Sequence, residues 1–76
     1  MTLFLKADIT IGTSQDPDFS RVFAVEADES AVQDELWLLR MAGRIADRYT
    51  DAGAVCVSNM RVVNARPKGT TIALAA

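Results

Sequence analysis

Hydrophobic and polar positions alternate strictly at the start of the chain. Leu3, Leu5, Ala7, Ile9 and Ile11 interleave with Phe4, Lys6, Asp8 and Thr10, the period-two pattern of a strand with one buried face. Residues 12–18 bring Gly12, Ser14, two aspartates and Pro17 together, which predicts a loop. Asp16-Pro17-Asp18 lacks the ligand number and spacing of a calcium loop, so it reads as a turn. Alternation resumes over 19–27. Phe19, Phe23, Val25 and Ala27 share one face with Arg21, and Val22, Ala24 and Glu26 share the other. Strand, short loop and strand predict an antiparallel hairpin.

The period then changes to that of a helix over 28–49. Ser30 with Gln33 matches a capping box, with Asp28 as a competing cap, and Gly53 supplies a stop. At 100° per residue, Val32, Leu36, Leu39, Ala42, Gly43, Ala46 and Tyr49 fall in one arc, widened by Leu38 and Ile45. That arc is the expected core face. A Gly inside a helix costs about 1 kcal/mol against Ala, so Gly43 calls for a packing reason.

After the helix, residues 54–65 are apolar and extended in pattern, and their alternation falters at Ser58-Asn59, which predicts a bulge or bend. Pro67-Lys68-Gly69 has the chemistry of a turn, and 70–75 reads as a last strand with Ile72 and Leu74 on one face. The expected fold is therefore a single α+β domain over 1–76, ββαββ. It consists of a four-stranded, mainly antiparallel sheet under one helix, with strand order 2-1-3-4. The open face would show Phe4, Lys6 and Asp8 beside Val22 and Ala24.

Composition narrows the chemistry. The 76 residues contain no histidine and one cysteine, and half are hydrophobic. Without histidine there is no Ser-His or Cys-His nucleophile pair and no imidazole for zinc. The four glycines are scattered singly, so no phosphate-binding loop is present. Cys56 stands in an apolar run and is expected to be a small buried side chain. The expectation is a protein that is not an enzyme and needs no cofactor or metal. No apolar stretch approaches membrane-spanning length, and the N-terminal residues do not resemble a signal peptide, so a cytoplasmic location is expected.

Charge supplies the candidate sites. The net charge of −2 divides into eight acidic and two basic side chains over 1–35, against two acidic and six basic over 36–76. Arg40, Arg44 and Arg48 follow one another at i, i+4 spacing, with Trp37 and Met41 beside them. One reading is a solvated basic face. The other is a partner-binding patch, because Trp, Met and Arg are enriched at interfaces. Glu26, Asp28, Glu29, Asp34 and Glu35 form an acidic group at the helix start, which reads either as capping or as a surface for a basic partner. Nucleic-acid binding through the three arginines with Arg61, Arg66 and Lys68, Trp37 serving as a stacking platform, is the alternative class. The net negative charge opposes it. A bare sheet edge keeps a structural homodimer open as a third option.

In size, acidity, absence of histidine and ββαββ layout, the chain resembles the small phage-encoded inhibitors of the anti-CRISPR kind. The resemblance implies a phage protein that inhibits by protein–protein interaction, blocking a CRISPR–Cas effector complex by masking the surface that receives nucleic acid. It carries no motif and assigns no residue.

Overall fold

A computed structural model describes residues 1–63 and 71–74. Strands β1 (Thr2–Ile11) and β2 (Phe19–Glu26) form the expected hairpin, Leu5 opposite Phe23 and Ile9 opposite Phe19. The loop between them closes on itself as the turn chemistry requires. The Asp18 carboxylate accepts from Ile11 N at 2.7 Å, Asp18 N donates to Ile9 O, and Gly12 takes φ 72°. Helix α1 (Glu35–Asp47) follows, then β3 (Val55–Val62) and β4 (Thr71–Ala73). The architecture is α+β, with one helix over a four-stranded mixed sheet.

Alternation along β1 does what it promises. Leu3, Leu5, Ala7 and Ile9 are buried and meet Phe23 and Val25 from β2, with Met41 and Ile45 of α1 above them and Leu74 at the side. Phe19 lies at the rim, edge-on to Tyr49 at 5.4 Å, with the Arg21 guanidinium 4.5 Å above its ring. The open face carries Phe4, Lys6 and Asp8 beside Val22 and Ala24, as expected.

The strand order differs from expectation. It is β3-β1-β2-β4, so β1 and β3 are neighbours as foreseen, but β4 pairs parallel with β2 on the far edge. The last two strands are not a hairpin, and the Pro67–Gly69 turn lies outside the described residues. The bulge foreseen at Ser58-Asn59 is part of the reason. Asn59 adopts φ 51° and the β1–β3 register shifts there, which breaks the outer row of β3. The β1–β2 register runs without interruption, so β2 offers β4 a regular edge. There Ile72 lies opposite Phe23, and Leu74 N donates to Ala24 O at 2.8 Å while its side chain enters the core.

The helix is shorter than 28–49. Residues Glu29–Gln33 form a 3-10 turn, and α1 starts only after Asp34. The Asp34 carboxylate accepts from Leu36 N at 3.0 Å and Trp37 N at 3.4 Å, so it takes the cap expected of Ser30 or Asp28. An aspartate there satisfies two first-turn donors and opposes the positive helix end. Gly53 (φ 103°) closes a second 3-10 turn, Thr50–Ala52, instead of α1 itself. Asp34→Ala should therefore cost about 1 kcal/mol in urea denaturation, whereas Ser30→Ala should be close to neutral.

Candidate functional site

Helix α1 is rolled by roughly a third of a turn, at 100° per residue, from the expected orientation. Met41 is 1% exposed, Ile45 is fully buried, and Trp37 and Tyr49 pack against the core. Leu36 and Leu39 are 71% and 68% exposed, and Gly43 is exposed too. The sequence permits both orientations because Leu36-Trp37-Leu38-Leu39 places apolar side chains on every side of the first turn. Size decides between them. Burying a large side chain stabilises by about 1.5–3 kcal/mol, and the observed side buries Trp37 and Met41 with Ile45, where the expected arc offered Leu36 and Leu39 beside the small Ala42, Gly43 and Ala46.

This corrects the expected basic patch. Trp37 and Met41 belong to the core side and do not stand beside exposed arginines. Arg40 and Arg48 are exposed, while Arg44 is half-buried with its Nε enclosed and without a hydrogen-bond partner. None of the three forms an ion pair with a described residue. Trp37, the expected stacking platform, is half-buried against the core, and Arg66 and Lys68 lie outside the described residues.

The five acidic residues take different places in the local structure. Glu26 ends β2, where it accepts from the Thr2 hydroxyl and lies 3.8 Å from the N-terminal amine. Asp28 precedes the 3-10 turn without a side-chain capping bond, Glu29 opens that turn, Asp34 caps α1, and Glu35 begins it. All five are exposed. Among the described residues, no three His, Cys, Asp or Glu side chains come together as a metal-holding group.

Between α1 and β3 runs a groove of about 380 Å³, lined by Leu38, Leu39, Ala42, Val57 and Met60 together with the polar Glu35, Ser58 and Asn59. Its lower border is the outer edge of β3, with which no described strand pairs. Six residues of that edge, Val55 to Met60, carry no charge. Cys56, expected to be buried, is exposed. It lies opposite Thr10 and therefore on the open face, because Val55 and Val57 take the core side of the pleat.

On the open face, Asp8 ties three strands together. Its carboxylate accepts from Ser20 Oγ at 2.6 Å and Asn59 Nδ2 at 3.2 Å, with Arg61 Nη1 at 3.7 Å. The Ser20 bond first, then the Asn59 bond, hold its pKa below the ordinary aspartate value, and Arg61 and Lys6 add to this. A depressed folded-state pKa contributes stability above the unfolded value that is lost as pH falls through the folded one. An NMR titration should place the Asp8 midpoint below that of the denatured chain, and Ser20→Ala should raise it. The cluster is a clasp across strands, with both carboxylate oxygens engaged.

Comparison with protein-family models, curated proteins and solved structures returned no match. No helix among the described residues is long and apolar enough to cross a membrane.

Proposed function

We propose that this chain is a non-catalytic protein-association module whose working surface is the outer face of α1 with the groove it forms against β3. One observation carries the reading: two adjacent leucines about 70% exposed, continuous with an apolar groove. Single exposed leucines are common on protein surfaces, but a contiguous apolar patch beside a concavity is the usual form of a docking site. Catalysis has no comparable support, since the carboxylates among the described residues are solvated, capping or clasped as Asp8 is.

The partner-masking inhibitor is one form of this reading, and likeness to the small phage-encoded inhibitors makes a CRISPR–Cas effector the first foreign partner to try. The test titrates wild type and Leu39→Asp against purified effectors and against the chain itself, reading target cleavage and complex mass. Association that Leu39→Asp removes, with its circular dichroism unchanged, supports the surface assignment. A variant that associates as well as wild type overturns it. Apolar contact should also persist at high salt, whereas a grip on phosphates would fall away steeply.

A further inference from the structure

The occupant of this surface can be argued further, on the basis that the α1–β3 face is an association surface at all. We infer that it is covered by a second copy of the same chain. The two β3 edges would pair antiparallel about a two-fold axis, making one eight-stranded sheet with the two α1 helices side by side.

The first support is the sheet edge. The bonds Gly12 N to Ala54 O and Val63 N to Phe4 O lie at the two ends of the β1–β3 ladder. Antiparallel alternation from the first of them turns the N–H and C=O of Val55 and Val57 outward. Proteins that stay monomeric blunt such edges with charge, Pro, a bulge or brevity. The opposite edge is blunted, since β4 has three residues. The segment Val55 to Ser58, which ends before the bulge at Asn59, has neither charge nor Pro. An antiparallel strand pair is its own complement, as an isologous interface demands.

The second support is Gly43. It lies inside α1, is exposed, and a Cβ built on it would meet nothing within 4 Å. No contact within the chain explains it, although glycine weakens a helix interior. Leu36, Leu39 and Gly43 fall at i, i+3 and i+7, the spacing of a helix–helix seam. In an antiparallel pair, the leucines of one helix lie over the glycine of the other, where a side chain would hold the backbones apart.

Charge complementarity is the third. The start of α1 is acidic, with Asp34 and Glu35, and its later part is net basic, with Arg40, Arg44 and Arg48 against Asp47. Antiparallel helices set the acidic start of one copy along the basic part of the other. A helix crossing in the same direction would set like charges together.

Analytical ultracentrifugation of wild type, Leu36→Asp/Leu39→Asp and Gly43→Ala, with thermal melts of each, tests the inference. The wild type should dimerise with rising concentration. The double variant should remain a folded monomer. Gly43→Ala is the discriminating variant, because its two effects have opposite signs. Its monomer should melt higher than wild type, while its dimer dissociation constant rises by about tenfold or more, equivalent to 1.4 kcal/mol. A nitroxide on Cys56 should report a close second label, since neighbouring strands lie about 5 Å apart. A dimer that the leucine and glycine variants leave unchanged would overturn the inference. A wild type monomeric at every concentration would overturn it as well. In that case, binding of a purified foreign partner that Leu39→Asp abolishes would leave the association reading intact, and absence of any binding would remove both.

Discussion

Phe23→Ala should remove about 3–5 kcal/mol, a large share of the stability of the fold. Phe23 is completely enclosed at the middle of the sheet, opposite Leu5 on one side and Ile72 on the other. Removing a buried phenylalanine ring costs about 3–5 kcal/mol, transfer and cavity terms together. A domain of 76 residues has only about 4–11 kcal/mol in total, at 0.05–0.15 kcal/mol per residue. The ring also joins the hairpin to β4, so its loss should free the β4 edge before the hairpin opens. Urea denaturation followed by circular dichroism gives the cost, and hydrogen exchange at Leu74 N gives the order of events. A cost below about 1 kcal/mol would mean that the core is not centred here.

Two substitutions on α1 should behave in opposite ways to what its sequence periodicity suggests. Met41→Ala should cost about 2–5 kcal/mol, because the thioether is enclosed between the helix and the sheet. Leu36→Ala, at a position 71% exposed, should stay within about 0.5 kcal/mol when measured in dilute protein. Reversal of that order would roll the helix back to the arc containing Leu36, Leu39 and Gly43, and would remove the proposed surface with it.

That pair of residues also shows where the sequence can be read and where it cannot. β1 and β2 are legible because a period of two has only two phases, and the phase with Leu3, Leu5 and Ile9 inside is much the more apolar. The bulge is legible because Ser58-Asn59 interrupts an otherwise clear alternation, and Asn tolerates the left-handed backbone it adopts. Helix α1 resists the same treatment. Four consecutive apolar residues at its start satisfy more than one face, and an average over 28–49 includes Val32, which lies in a 3-10 turn. Two capping signals compete with Asp34, and only tertiary placement selects the aspartate. The position of β4 depends on which edge is regular, a property of the assembled sheet. The candidate surface was masked for the same reason as the helix roll, since Leu36 and Leu39 look like core residues until Trp37, Met41 and Ile45 are seen to fill it. The arginines, conspicuous in the sequence, do not line the groove.

The parallel pairing of β4 with β2 has a consequence for synthesis. Glu26, the last residue of β2, and Thr71, the first of β4, are separated by about 45 residues of chain, which a ribosome adds in roughly 2–10 s at 5–20 residues per second. Throughout that interval the outer row of β2, with Val22 to Ala24 at its centre, has no partner from its own chain. The nascent molecule therefore exposes a template for β pairing that the finished one lacks. Crowded polysomes carrying neighbouring copies at the same stage are where mispairing would begin, and slower codons placed between β3 and β4 should lower the yield of soluble protein.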